Sequence, residues 1–201
     1  MVRQVYNFVG AVSWPVMKLL RIRASGVEDL PDGGFVLAAN HLSNFDPWAV
    51  AMPLWPKRAV RFMAKHTLYR PPLGWVLTAG GAFPVRRGEA DVKAFQTAVR
   101  LVRAGEIVAI FPEGTRRKKG FLKRRKPQAF EGTARIALAA GAPLVPVGIK
   151  GTERLTRLGP LRVAYGRPVP VDDVSGLPRK AAARIATQRL MEEIARLEAS
   201  V

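Results

Sequence analysis

The chain has 201 residues, enough for one domain with a sizeable hydrophobic core and too few for two comfortable ones. It has no cysteine and only two histidines. This excludes a disulfide framework, a cysteine metal site and a thiol nucleophile, and leaves little room for a histidine metal cluster. The formal net charge of +18 predicts a polyanionic partner: nucleic acid, an anionic membrane surface or a phosphorylated substrate.

Residues 1–24 are predicted to form an N-terminal helical segment that lies in a membrane interface. The apolar stretch at residues 8–17 is far shorter than the roughly 20 residues that a membrane-spanning helix needs. It contains Trp14, and residues 18–23 interleave cations with aliphatic side chains, as interfacial segments do. The alternative is a helix packed on the body of the protein; the net charge favours the interfacial interpretation.

From residue 25 onward, apolar runs alternate with helical periodicities. Strands are predicted at residues 35–40, 59–64, 82–85, 107–111, 144–149 and 162–165. Helices are predicted at residues 47–54, 73–79, 89–104, 133–140 and 179–197. Pro84 argues for an edge or a bulge at the third strand. The alternation predicts a single α/β domain with a mostly parallel central sheet flanked by helices.

His41 and Asp46 follow the first of these strands, in the sequence Asn-His-Leu-Ser-Asn-Phe-Asp. A histidine can act as a general base near neutral pH, and a carboxylate can orient its ring. Residues five apart do not share a helical face, so the pair would have to meet across a strand-to-helix turn. The alternative is that Asp46 caps a helix that begins at Pro47. One carboxylate has enough acceptor sites for both roles.

The strand at 107–111 runs into a second polar sequence, Phe-Pro-Glu-Gly-Thr-Arg at residues 111–116. Gly114 allows backbone amides to approach a ligand closely. Thr115 and Arg116 offer donors suited to a phosphate. Glu113 would orient Arg116 or accept from a substrate hydroxyl. The alternative for this sequence is an ordinary turn with a surface ion pair.

Further cations lie at Arg86, which follows the third strand, and in the run at 116–126, which has eight basic residues and no acid. Arg86 is placed to reach the same anion as Arg116, whereas Arg87 is interpreted as a surface residue. The basic run is either a solvated loop or a docking site. His66 has no carboxylate nearby in sequence and is interpreted as a surface or structural histidine.

Together and in this order, the motifs resemble those of the glycerolipid acyltransferase family. Its His-four residues-Asp motif corresponds to His41 and Asp46, and its glycine followed five residues later by arginine corresponds to Gly81 and Arg86. Its Phe-Pro-Glu-Gly-Thr-Arg motif is identical to residues 111–116. Its strand motif Val-Pro-Val corresponds to residues 145–147, and the resemblance extends over roughly residues 25–170.

The resemblance implies that residues 25–201 are a catalytic domain that acylates 1-acylglycerol 3-phosphate to phosphatidic acid. His41 would take the proton of the acceptor hydroxyl, Asp46 would hold His41, and the oxygen would attack an acyl thioester directly. The acceptor's phosphate would be held by Arg86, Glu113, Gly114, Thr115 and Arg116. An apolar trough for the acyl chain would lie near Trp48, Met52, Phe62 and Trp75.

The resemblance also implies no metal and no cofactor, with acyl-coenzyme A or acyl carrier protein as the donor. The expected location is the cytoplasmic face of the cell membrane, where an anionic surface presents the lysophospholipid. One alternative is the same chemistry on glycerol 3-phosphate or another lipid hydroxyl. A second is a nucleic-acid-binding protein, disfavoured because no helix-turn-helix, zinc ligands or aromatic RNA-binding signature is present. The third is a non-catalytic membrane-surface scaffold, disfavoured because a scaffold would not require all four motifs to be intact.

Overall fold

The computed structural model describes residues 2–86, 90–114, 129–157, 160–174 and 176–201. The strands in these ranges are β1 (Arg23–Ser25), β2 (Val36–Ala39), β3 (Val60–Lys65), β4 (Phe83–Val85), β5 (Ile107–Ile110), β6 (Leu144–Lys150) and β7 (Arg162–Tyr165). The α-helices are α1 (Val2–Leu19), α2 (Asp46–Ala51), α3 (Leu73–Ala79), α4 (Val92–Arg103), α5 (Gly132–Ala140) and α6 (Arg179–Ser200). Short 3-10 helices occupy Met52–Leu54, His66–Leu68, Thr152–Arg157 and Asp172–Val174.

The seven strands form one sheet in the order β1-β7-β6-β2-β5-β3-β4. Neighbouring strands are parallel except β6 and β7, which are antiparallel. The predicted α/β architecture with a mostly parallel sheet flanked by helices is therefore confirmed. Strand β4 lies at the edge of the sheet, as Pro84 indicated, because proline has no N–H to donate to a strand ladder.

Hydrophobic layers cover both faces of the sheet, which explains why the central strands read as continuous apolar runs. All four residues of β2 and of β5 are buried. Successive side chains of β2 alternate between the two layers: Leu37 and Ala39 pack with α2, and Val36 and Ala38 pack with α4, α5 and α6. The closing helix α6 buries Leu190, Ile194 and Leu197, whereas Ile185 is half-buried.

Helix α1 packs against the body along one face, with Gly10 and Leu20, just beyond the helix, buried and Tyr6 and Met17 half-buried. Outside this packed face the helix exposes large apolar side chains: Phe8, Val9, Val12, Trp14, Val16 and Leu19. Among the described residues, no helix has both the length and the apolar character required to cross a bilayer. Helix α1 is therefore packed on the body of the protein and also exposes the apolar side chains expected of an interfacial helix.

Strand β1 is an element that the sequence did not predict. It has three residues, all exposed, and it joins the sheet by pairing with β7 over Arg23–Ser25 and Arg162–Ala164. It spans the boundary at residue 24 that was expected to separate the N-terminal segment from the domain.

One edge of the sheet collects the candidate functional segments. Strands β6, β2, β5, β3 and β4 all point the same way, so their carboxyl ends lie side by side. His41 follows β2, Glu113 follows β5 and Arg86 follows β4. Ligands of open α/β sheets collect at this edge.

Candidate active site

His41 and Asp46 meet across the turn between β2 and α2, as their spacing predicted. The Nδ1 atom of His41 lies 2.7 Å from Oδ2 of Asp46. The His41 side chain is almost buried and Asp46 is 0% exposed. Because Nδ1 faces the carboxylate, Nε2 is the ring nitrogen left to interact with a substrate hydroxyl.

The Asp46 carboxylate points back to the loop that precedes its helix. Oδ2 also accepts from the backbone N–H groups of Leu42 and Ser43, at 2.6 and 2.8 Å. Oδ1 accepts from the Thr152 hydroxyl at 2.5 Å. The helix-cap alternative is wrong in detail, since Phe45 is the N-cap of α2, no side chain caps it, and Asp46 is already the first helical residue.

Phe111 and the turn after β5 form a second wall of the site. The rings of His41 and Phe111 stack with a centroid distance of 4.2 Å. Glu113 is buried, and Gly114 has a φ of +65°, a conformation that favours glycine. A Cβ on Gly114 would also lie 2.6 Å from the ring of Phe130. The turn thus depends on glycine for both its conformation and its packing.

Asn40 is a site residue that the sequence interpretation missed. It is 0% exposed, and its side chain donates to the carbonyl oxygen of Ile149 and accepts from the Ile149 N–H, at 2.9 and 2.7 Å. These two bonds join the end of β2 to the end of β6. The signal in the sequence is an amide side chain at the end of a buried strand, directly before the histidine.

An apolar pocket of about 460 Å³ opens beside His41. Helices α1, α2 and α3 all contribute to its walls. Trp48, Met52 and Phe62 line it, as expected for an acyl trough, but Trp75 does not. Trp75 is instead 71% exposed.

The rim of this pocket is continuous with exposed apolar surface. Leu68, Leu73 and Val76 line the pocket and also expose large apolar side chains to solvent. Helix α3, which carries Leu73 and Val76, packs against α1. The apolar side chains of α1 and α3 therefore flank the entrance, an arrangement typical of surfaces that meet a membrane or another apolar partner.

Arg86 lies at the same edge of the sheet as His41, with an exposed side chain. Three strand spacings of about 4.8 Å separate its strand, β4, from β2. Asp91 holds the segment that carries it: Oδ2 accepts from the Arg86 N–H at 2.9 Å, and Oδ1 accepts from the Ala94 N–H at 3.0 Å, capping α4. These backbone bonds, led by the one from Arg86, lower the pKa of Asp91.

We expect Asp91→Ala to lower the free energy of unfolding by about 1 kcal/mol at pH 7, because α4 loses its cap. The pKa of Asp91 is depressed in the folded protein, so its contribution is present above its unfolded pKa and disappears as the pH falls through the folded value. A protonated carboxyl still offers the Ala94 N–H an acceptor oxygen, so urea unfolding should show a smaller difference between the variant and the wild type in acid than at pH 7, but not its complete loss. The control is Asp91→Asn, which keeps a capping oxygen; equal losses in Asn and Ala would contradict the interpretation.

Thr115, Arg116, Arg87 and the basic run at 116–126 lie outside the described residues. His66 begins a 3-10 helix after β3 and is exposed, which agrees with its interpretation as a surface histidine. The structure therefore brings His41 and Asp46 into contact, and it places Glu113, Gly114 and Arg86 after strands whose carboxyl ends lie at the same edge of the sheet.

The sequence of the chain is similar to those of known acyltransferases. The Acyltransferase family model matches residues 21–150. The 1-acyl-sn-glycerol-3-phosphate acyltransferase of Bacillus subtilis (strain 168) is 31% identical over 88% of this chain and 88% of its own length. The chloroplastic enzyme LPAT1 of Arabidopsis thaliana is 27% identical over 92% of this chain, which spans 54% of that protein.

The fold has a counterpart among solved structures. The crystal structure of the 1-acyl-sn-glycerophosphate acyltransferase PlsC from Thermotoga maritima superposes with a TM-score of 0.66 at 22% identity. The alignment covers 98% of this chain and 80% of that one. With a family model that spans both polar motifs and a relative that is similar along most of its length, the chain belongs to the acyltransferase family.

Proposed function

We propose that the protein transfers a fatty acyl group from an acyl thioester to the free hydroxyl of 1-acylglycerol 3-phosphate, giving phosphatidic acid. The observation that carries this proposal is the buried His41–Asp46 pair at the wall of an apolar pocket. The acceptor is the one named for the Bacillus subtilis relative.

In the proposed reaction, Nε2 of His41 removes the proton of the acceptor hydroxyl as its oxygen attacks the thioester carbonyl. The new ester bond forms, the carbon–sulfur bond breaks, and the imidazolium returns the proton to the leaving thiolate. Asp46 holds Nδ1 protonated and stabilises the positive charge that develops on the ring. No covalent acyl-enzyme is required.

The acyl chain of a substrate fits the pocket beside His41. Its volume of about 460 Å³ lies within the range of small-molecule sites, and its lining is dominated by apolar side chains. The exposed apolar residues of α1 and α3 flank the entrance, so a lipid chain can pass from a bilayer to the pocket without crossing a polar surface.

The phosphate of the acceptor is proposed to bind at the edge between β5 and β4. Arg86 supplies a guanidinium there, and arginine can bind two phosphate oxygens at once. The resemblance of residues 111–116 to the family motif adds Thr115 and Arg116 as donors, with Glu113 and the backbone of Gly114 beside them. The ends of β4 and β2 are roughly 14 Å apart, so the long side chain of Arg86 would extend along this edge toward His41 to hold a phosphate one glycerol away from the reacting hydroxyl.

The same surface supports a peripheral place on the cytoplasmic face of the cell membrane. The exposed side of α1 combines apolar residues with Trp14 and Lys18, whose ammonium lies 3.8 Å from the indole ring centroid. Together with the net charge of +18, this is the composition of helices that lie in an anionic interface. Acyl-coenzyme A or acyl carrier protein would deliver the donor.

The first test supplies purified protein in detergent micelles with oleoyl-coenzyme A and monoacylglycerol phosphate. We expect thiol release to match phosphatidic acid formation mole for mole. Glycerol 3-phosphate, supplied as a competitor, should inhibit weakly because it lacks the acyl chain. If no thioester donor gives product, monoacylglycerol phosphate is not the acceptor. If the protein prefers glycerol 3-phosphate, that molecule becomes the assigned acceptor.

A second comparison isolates the phosphate site. Arg86→Ala should raise KM for monoacylglycerol phosphate while leaving KM for oleoyl-coenzyme A unchanged, because only the acceptor's phosphate loses a partner. Arg184→Ala on α6, also exposed, is the matched control. Equal effects on both substrates would contradict the assignment of Arg86.

A further inference from the structure

We propose that Thr152 is a positioning residue for the His41–Asp46 pair. Its hydroxyl holds Oδ1 of Asp46 so that Oδ2 remains on Nδ1 of His41. The inference rests on the proposed acyl transfer for its kinetic consequence, although the contact itself does not depend on it.

The contact is buried and comes from a distant part of the chain. The Thr152 Oγ1 atom lies 2.5 Å from Oδ1 of Asp46, across 106 positions in the sequence. Thr152 is 1% exposed, and Asp46 is completely buried. A hydroxyl that donates to a buried carboxylate makes a charge-assisted bond, which is stronger than a bond between neutral groups.

Thr152 supplies a constraint that the other Asp46 partners lack. His41, Leu42 and Ser43 all donate to the same oxygen, Oδ2. The terminal torsion of an aspartate is broad, so donors on one oxygen leave the plane of the carboxylate weakly determined. A fourth donor on Oδ1 fixes that plane, and with it the direction from Oδ2 to the imidazole ring.

The backbone around Thr152 is arranged to bring its hydroxyl to this place. Strand β6 lies next to β2, and the Asn40 side chain joins the ends of the two strands through Ile149. The chain then turns at Gly151, which has a φ of +95° and whose Cβ, if present, would lie 2.6 Å from the Pro160 carbonyl oxygen. Only glycine fits this turn without strain, and Thr152 follows it directly.

The experiment compares four side chains at position 152 that differ separately in hydroxyl and methyl group. Threonine and serine carry the hydroxyl; valine and alanine do not. We expect Thr152→Val to lower kcat about 10- to 100-fold, as misplacement of a catalytic group does, with KM for both substrates within about twofold. Thr152→Ser should restore kcat to within about threefold of wild type, whereas Thr152→Ala should resemble Val.

A second readout does not need turnover. In full-length protein labelled with ¹⁵N-histidine, the Nδ1–H proton of His41 should give a downfield resonance in wild type and Thr152→Ser. That resonance should move or broaden in Thr152→Val and Thr152→Ala, with the exposed His66 as internal reference. If wild type acylates no glycerolipid acceptor, the proposed function fails, but the resonance still decides the role of Thr152.

The control is Thr187→Val, which removes another buried threonine hydroxyl, one that donates to the Ala183 carbonyl oxygen on α6. It should leave kcat and the His41 resonance unchanged. Wild-type kcat and resonance in Thr152→Val would overturn the proposal. Equal losses of kcat in Thr152→Ser and Thr152→Ala would also overturn it, because the loss would then come from the missing methyl group and not from the hydroxyl. If Thr152→Val does not fold, the comparison of Ser with Ala still tests the role of the hydroxyl.

Discussion

Replacement of His41 by alanine is expected to reduce kcat/KM for acyl transfer about 10³-fold, within the range that a general base contributes. The reason is that Nε2 of His41 takes the hydroxyl proton, and no other histidine lies in the described part of the site. Phosphatidic acid formation from oleoyl-coenzyme A, followed by quenched time points, measures the loss.

The control for this variant is His66→Ala, which removes the other histidine from an exposed 3-10 helix. It should retain wild-type activity. Circular dichroism must show that His41→Ala keeps its fold, since the ring also stacks on Phe111. More than a tenth of wild-type activity in a folded His41→Ala protein would contradict its role as the base.

Two replacements of Asp46 are expected to differ in their effects: Asp46→Asn mainly lowers activity, and Asp46→Ala lowers both activity and stability. Asp46→Asn keeps the volume but replaces one acceptor oxygen by an NH₂ group, which cannot accept from Thr152 while the other oxygen serves His41. We expect kcat to fall about 10³-fold because the imidazole loses its oriented, charged partner. Asp46→Ala also removes the acceptor of the buried Thr152 hydroxyl and of two half-buried backbone N–H groups, those of Leu42 and Ser43.

We therefore expect Asp46→Ala, beyond its loss of activity, to lower the free energy of unfolding by roughly 3 kcal/mol, since each unsatisfied buried donor costs about 1–3 kcal/mol before water or relaxation compensates. Urea unfolding, combined with the acyl transfer assay, separates the two effects. Asp29→Ala, at an exposed aspartate, is the control and should change neither quantity. A stable and fully active Asp46→Ala protein would refute the assignment.

The elements that the sequence predicted best are those whose hydrophobic pattern reflects burial on the sheet. Helix α3 and strand β7 begin and end at the predicted residues. The strand at 36–39 is one residue shorter than predicted at each end, and the strands at 107–110 and 144–150 differ from prediction by one residue at one end. Strand β1 was missed because its three exposed residues carry no apolar pattern; it exists because β7 offers an edge. This pairing joins residues that are far apart in the sequence, so the local pattern around residues 23–25 does not reveal it.

The site was predictable to a similar extent. The spacing of His41 and Asp46 required a turn between strand and helix, and the turn is present. The direction of the Asp46 carboxylate was not predictable, because helix caps and loop-facing carboxylates share the Asp-Pro sequence. Thr152 had no local signal at all, since only the placement of β6 beside β2 brings its hydroxyl to the carboxylate.

The central position of β2 has a consequence for the order in which the molecule is made. Strand β2 pairs with β5 and β6, and Asn40 bonds to Ile149, 109 positions further along the chain. During synthesis, the histidine-bearing loop therefore leaves the ribosome long before either neighbouring strand exists. Contacts so distant in sequence form slowly. The apolar strand β2 therefore lacks its partner strands, and the His41 loop lacks its final contacts, until about three quarters of the chain has been made.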